Sequence, residues 1–445
     1  MTKKAYLCYV KFYGRDEEIV RLREIRRRSL ERGQMTVVSG RRRIGKTRLI
    51  LESLAGERYL YFFVTRQSER LLCAQFCQQI EEVIGIKIYE PITEFRNVFQ
   101  LLLEEARKQP INLVVDEFQE FTRINPSIYS HMQRAWDLAK DEAQMNLILS
   151  GSVQSLMIRI FDSYQEPLYG RANHKFYVKP LSVGTLKQIL QDQVSSYSPK
   201  DMLAFYTLTG GVPKYVEAFI DAGAITYKAM LDEMLQKGSF FLQEGQFLLL
   251  QEFGKEYGTY FSILGLIADG KTSRGQIESV LQQPIGGYLT NMAKDYKIIS
   301  RIRPMFSKPN TTNLHYYIED EFLRFWFRFI YRNRSAVESG NFAYLHEAIN
   351  RDYTTYAGKS LEQLTRQLLR ESGKFLEVGN YWERGNKNEI DIVAINELHK
   401  EALIGEVKMN PAKISLDKLK LKAQRLSKSL SEYKVAYRGF SMEDI

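Results

Sequence analysis

Three short stretches hold residues whose types and spacing can do phosphate chemistry. In MTVVSGRRRIGKTRLILESL, Gly40 is followed, after four intervening residues, by Gly45-Lys46-Thr47, with an apolar run before it and an amphipathic run after. Glycines at that spacing let backbone N–H groups curl around phosphates at the start of a helix, which makes this a P-loop in its required setting. The loop comprises Gly40, Arg41, Arg42, Arg43, Ile44, Gly45, Lys46 and Thr47, with Arg48 next. Lys46 is spaced to reach the β- and γ-phosphates of ATP, and Thr47 to ligate Mg²⁺. INLVVDEFQEF then ends an apolar run, residues 111–115, in Asp116-Glu117. An aspartate at a strand end can hold the Mg²⁺ shell, and Glu117 beside it can orient and deprotonate the attacking water. The three consecutive arginines form a basic crown for which solvated or inter-domain contacts are expected, not catalysis.

The third stretch is EIDIVAINELHKEALIGEVK, Glu389 to Lys408. Residues i and i+2 of a strand share a face, so Glu389 and Asp391 point one way, opposed by Ile390 and Ile392. Glu406 and Lys408 likewise share a face. Antiparallel pairing across NELHKEALIG brings Asp391 to Glu406. Two close carboxylates repel unless a cation lies between them, and hard oxygens favour Mg²⁺ or Mn²⁺. The lysine can orient water or neutralise charge on a phosphate being cut. A surface hairpin with solvated charges has the same pattern.

Elements must hold these groups in place. Residues 12–180 alternate helical patterns with the runs MTVVSG, RYLYFFV, INLVVDE, MNLILSG and HKFYVKPLS, which predicts an α/β domain with a mainly parallel sheet. A helical stretch follows to about residue 246. Then YFSILGLIADG, TSRGQIESVL and PIGGYLTNMAKDYKIIS read as three short helices, followed by strand-like RIRPMF and LHYYIED. The expected domains are 1–182, 183–246, 247–335 and 336–445. The middle one fits a winged helix whose third helix buries Ile285, Leu289, Met292 and Tyr296 and leaves Tyr288, Thr290, Asn291 and Lys294 on other faces. That helix can enter a DNA major groove or pack as a regulatory lid. In FLRFWFRFIYRNRS, Phe322, Phe325, Trp326 and Phe329 read as core, while Arg324, Arg328, Arg332 and Arg334 form a stripe able to face an anion.

The 445 residues carry 44% hydrophobic and 26% charged residues, a globular composition, not a disordered one. The formal net charge of +10 favours an anionic partner. Cys8, Cys73 and Cys77 give neither a disulfide framework nor zinc-ligand spacing. The sequence shows no signal peptide and no membrane-length apolar run, so a cytoplasmic protein is expected.

FYGRDEEIVRL at 12–22, the P-loop, the DE pair, LILSGS at 147–152, PLYGR at 167–171 and TGGVPKYV at 209–216 occur in this order. Together they resemble the archaeal-type ATPases of the AAA+/STAND group. The resemblance implies that Phe12, Tyr13, Gly14 and Arg15 cradle the adenine, and that Ser150 or Ser152 senses the γ-phosphate. It implies a lid motif at Gly211-x-Pro213 and offers Arg171 as a charge-stabilising arginine, with a structural ion pair as its other use. Asp391-x14-Glu406-Val407-Lys408 resembles the PD-(D/E)XK nuclease motif, often appended to such ATPases. That family adds an acid from a preceding helix, for which GKSLEQLTRQLL supplies Glu362. Relatives of this nuclease fold include forms that do not cleave. Residues 408–438 hold nine Lys or Arg against Asp417 and Glu432, which suits a phosphate backbone or a solvated helix face. The expectation is an ATP- and Mg²⁺-dependent switch coupled to DNA, with a signalling scaffold as the alternative; a homo-oligomer is compatible with either.

Overall fold

The computed structural model describes residues 12–254, 257–385 and 387–445, so Cys8 lies outside the described residues. The chain forms two compact units, Met1–Lys179 and Pro180–Ile445. The division falls close to the expected end of the ATPase core at 182, whereas the expected boundaries at 246 and 335 lie inside the second unit. Among the described residues, no helix is long and apolar enough to cross a membrane.

In the first unit, β1 (Gln34–Ser39), β2 (Leu60–Phe63), β3 (Ile111–Asp116), β4 (Met145–Gly151) and β5 (His174–Tyr177) form one sheet in the order β2-β3-β4-β1-β5. Every pairing is parallel. The five strands are the β-branched runs read from the sequence. All of β4 is buried, as is β3 apart from Asn112, because crossover helices cover both faces of a parallel sheet. Met35, Val37, Leu113, Val115, Leu147 and Leu149 belong to a core completed by Phe62, Phe76, Phe95 and Trp136. Phe62 and Phe76 stack with centroids 4.1 Å apart, worth about 0.5–1.5 kcal/mol beyond the area they bury. By alternation the opposite face carries Val38, Val114, Asp116 and Ser150. There the helix Lys46–Ser53 brings Thr47 to Asp116.

The second unit begins with five helices: Val183–Gln193, Pro199–Thr209, Pro213–Asp221, Tyr227–Leu235 and Phe241–Phe253. Helices Tyr257–Ala268, Arg274–Leu281 and Gly286–Lys294 then precede an antiparallel pair, β6 (Ile299–Ile302) and β7 (His315–Ile318). The strand expected over RIRPMF stops at Ile302, short of Pro304, which has no N–H for a ladder. On the third helix Thr290, Asn291 and Lys294 are exposed, but Tyr288 packs edge-on against Tyr260 at 5.0 Å.

The aromatic segment is α-helical over Glu321–Phe325 and π-helical over Trp326–Tyr331. Trp326 lies flat against Gly245, where a Cβ would sit 2.3 Å from the indole, and its Nε1 donates to Leu242 O at 3.0 Å. Within the expected stripe, Arg332 and Arg334 are exposed and Arg324 is not. Arg324 is buried and pairs with Glu321 at 2.7 Å and with Ser360, while Arg328 and Arg332 both pair with Asp269.

A helix of 30 residues, Phe342–Glu371, leads to β8 (Glu377–Glu383), β9 (Lys387–Asn396), β10 (Glu401–Val407) and β11 (Lys434–Phe440). Their order is β11-β10-β9-β8; β8, β9 and β10 are antiparallel, and β11 lies parallel to β10 after the helix Leu416–Ala423. That helix seals the core through Leu419 and Ala423 against Val393, Ile395 and Ile404.

Candidate functional site

The P-loop is shaped by backbone sterics. Gly40 has φ +155°, and a Cβ there would sit 2.8 Å from Val178 O just after β5. Gly45, with φ +87°, is left-handed at the N-cap of Lys46–Ser53, a conformation glycine reaches without penalty. The Lys46 ammonium lies over the loop, donating to Gly40 O at 2.8 Å and Arg41 O at 3.1 Å. One residue on, Thr47 Oγ1 donates to Asp116 Oδ2 at 2.8 Å, so the loop threonine and the strand-end aspartate meet. Hard oxygens placed side by side at the head of a phosphate loop fit a Mg²⁺ ion. Sequence reading missed a third partner. Tyr61 OH donates to the same Oδ2 at 2.6 Å, and burial, then this bond, push its phenol pKa up.

Glu117 sits at φ +54°, a strained backbone for a non-glycine residue, of the kind held where function requires it. Its N–H donates to Asp116 Oδ1 at 2.9 Å. Its carboxylate accepts from Gln119 Nε2 at 2.5 Å and Ser152 Oγ at 2.7 Å. Of the two serines weighed as γ-phosphate sensors, Ser152 therefore holds Glu117. Ser150 follows Leu149, which pairs with Val115, so it stands opposite Asp116. Its buried hydroxyl has no hydrogen-bond partner among the described residues, which suits an acceptor that a nucleotide would bring.

Around the loop, Arg48 stands over the Phe12 ring at 5.3 Å, tying the opening segment to the P-loop helix. Tyr13 follows, and Gly14 turns the chain at φ +64°. Arg15 is buried; it donates to Lys179 O at 2.5 Å and pairs with Glu18 at 3.3 Å. Burial lowers its pKa, with Glu18 opposing. Arg42 is exposed, and Arg43 is left-handed at φ +68°. Arg171 donates to Tyr169 O at 2.8 Å and pairs with Asp137 at 3.2 Å, the bond set of a loop brace. In the second unit Gly211, at φ +69°, packs so closely on Leu181 O that a Cβ would be 2.6 Å away, and Pro213 opens the next helix.

The second unit gathers its own charged cluster. Gly405 pairs with Ile392, leaving Glu406 opposite Asp391 as the next pair. On its other side β9 carries a bulge: Tyr381 pairs with Ile390 but Gly379 with Val393, which interrupts the simple alternation expected at 389–392. Lys408 Nζ lies 3.4 Å from Asp391 Oδ2 and 3.4 Å from Glu406 Oε1, so those two oxygens are separated by at most twice that distance. Burial works against the ammonium, but both acids together raise its pKa. Val407 N–H donates to Asp391 at 2.8 Å and Ser415 N–H to Glu406 at 3.0 Å. Glu362 pairs with Lys359 at 3.0 Å and Arg366 at 3.9 Å. Burial raises its pKa; Lys359 opposes that and Asp391 adds to it. Arg366 also donates to Asp391 O at 2.7 Å. Among the described residues, no three His, Cys, Asp or Glu side chains stand ready to enclose a metal. The lysine occupies the place between the acids.

Residues 12–219 match the family described as an ATPase domain predominantly from Archaea. Residues 326–420 match a second, described as archaea bacterial proteins of unknown function. An uncharacterized protein of Methanocaldococcus jannaschii is 30% identical over 413 residues, covering 90% of this chain and 88% of its own. The chain belongs to this family of archaeal-type P-loop ATPases. The Walker-type ATPase of Pyrococcus abyssi is 20% identical and superposes with TM-score 0.54 over 71% of this chain and 96% of its own, a likeness of fold. A signal-transduction ATPase with numerous domains from Pyrococcus horikoshii, 16% identical over 82% of this chain and 50% of its own, reaches only 0.36. In this archaeal-type ATPase the P-loop and the Asp116-Glu117 pair lie in the first unit, and the matched ATPase domain continues into the second.

Proposed function

We propose that this ATPase is a nucleotide-driven switch that acts on DNA, with a metal-dependent nuclease-like site in its C-terminal sheet. What supports the nucleotide half is the Thr47–Asp116 contact of 2.8 Å at the P-loop. Lys46 binds the β- and γ-phosphates, Phe12 to Arg15 border the adenine, and Glu117 takes the proton of the attacking water. Thr47 and Asp116 would hold a Mg²⁺ ion, which would supply neutralisation of the charge developing on the phosphates. Ser150 senses the γ-phosphate, and Gly211-x-Pro213 belongs to the lid. Arg171, tied to Asp137, stays outside the catalytic set.

In this reading the three helices and the β6–β7 pair form a winged helix that meets DNA through Thr290, Asn291 and Lys294. The last sheet is a PD-(D/E)XK-like module, supported by the convergence of Asp391, Glu406 and Lys408. A divalent ion between Asp391 and Glu406, with Glu362 beside them, would supply Lewis-acid activation of a phosphodiester. Lys408 would then turn from the acids to the phosphate. One observation favours a second reading, in which this module binds without cutting: Lys408 already bridges the acids. Incubating the purified chain with Mg²⁺ and duplex or single-stranded DNA separates them. Cleavage lost in Asp391→Ala but retained in Lys46→Ala supports the nuclease; inertness towards every DNA form supports the scaffold.

A further inference from the structure

We infer that Tyr61, on β2, is a positioning residue for the magnesium-side carboxylate of Asp116. The strand pairing makes this a built contact. Tyr61 stands beside Val114 on β3, while Leu60 and Phe62, of opposite parity, are fully buried in the core. Tyr61 is thereby turned to the sheet face that carries Asp116, and its hydroxyl reaches Oδ2 at 2.6 Å. The carboxylate then has three donors: Thr47 and Tyr61 on Oδ2, and the Glu117 N–H on Oδ1 at 2.9 Å.

Three bonds fix both the position and the plane of the group. Thr47 is the partner that must also serve the ion, so its hydrogen bond cannot by itself define where Oδ2 points. Tyr61 has no such second duty. It holds the carboxylate in one rotamer by donating a hydrogen bond to Oδ2. Groups that orient metal ligands in this way typically change metal affinity ten- to a hundredfold when removed. The ring of Tyr61 is retained in Tyr61→Phe, so that variant deletes the bond and leaves the packing.

This rests on Thr47 and Asp116 being the magnesium-side pair, and the test checks that separately. Mn²⁺ binding to the full chain with a non-hydrolysable ATP analogue is titrated by electron paramagnetic resonance. Binding of a fluorescent ATP analogue is measured in excess EDTA. Tyr61→Phe is expected to weaken Mn²⁺ binding about tenfold while metal-free nucleotide affinity stays within twofold. An unchanged Mn²⁺ titration, with Asp116→Asn abolishing it, overturns the role of Tyr61 alone. Metal-free binding that falls in parallel makes Tyr61 a packing residue and also overturns it. Mn²⁺ binding unaffected by Asp116→Asn removes the underlying assignment and this inference together.

Discussion

Replacing Lys408 by methionine tests whether Asp391 and Glu406 are organised around one shared cation. The ammonium is 3.4 Å from an oxygen of each acid. At an effective dielectric constant of about 20, each contact has a gross attraction of about 5 kcal/mol. Lys408 is more than a third exposed, so water screening leaves roughly 1 kcal/mol net per contact, or about 2 kcal/mol for both. The methionine keeps the apolar stem and removes only the charge. In nucleotide-free protein with EDTA, Lys408→Met is expected to lower the unfolding midpoint of this unit by about 5 °C. Millimolar Mg²⁺ or Mn²⁺ should recover most of that loss, because the ion takes the place the ammonium held. A ligand at a hundred times its Kd contributes about 2.7 kcal/mol. Wild type, whose lysine competes for the same place, should respond less, and Asp391→Asn/Lys408→Met not at all. Circular dichroism melts with and without metal give the answer. If Lys408→Met melts like wild type, or gains nothing from either ion, the shared-cation account is wrong.

Three further outcomes follow. Glu117→Gln should bind ATP as wild type does but turn over about 10²- to 10⁴-fold more slowly, whereas Lys46→Ala should lose nucleotide binding; wild-type turnover in Glu117→Gln discards the base assignment. Gly245→Ala places a methyl 2.3 Å from the Trp326 indole and should cost about 1–3 kcal/mol in urea unfolding; an unchanged midpoint contradicts the packing described. Burial, and then Glu69, push the Cys73 thiol from 9.0 up to about 12. The unfolded chain therefore releases this proton first. The thiol's contribution to stability is complete below pH 9 and is lost as pH rises towards 12. The stability gap between wild type and Cys73→Ala should shrink over that window, and a constant gap would refute the shift.

The P-loop and the DE pair were legible because their chemistry is written in backbone requirements at fixed spacing. Gly40 and Gly45 occupy conformations that other residues resist, and Asp116 ends a strand that must be apolar. Asp391 and Glu406 were legible for a related reason, since a hairpin with period 2 sets its cross-strand partners locally. Tyr61, Gln119 and Arg366 were not. Tyr61 meets Asp116 through parallel pairing of strands nearly fifty residues apart, and nothing in LYFF encodes that register. For the arginine stripe the sequence did not show the partners, because Glu321 and Asp269 meet Arg324, Arg328 and Arg332 only in the fold. Charged side chains at helical spacing mark a face, but the tertiary structure decides what the face meets.

The measurement closest to the central claim is phosphate release by the purified full chain with ATP and Mg²⁺, in the presence and absence of duplex DNA. The account expects release that Lys46→Ala abolishes and that DNA raises several-fold. Turnover of the same size with and without DNA, across duplex and single-stranded forms, would contradict a switch coupled to nucleic acid.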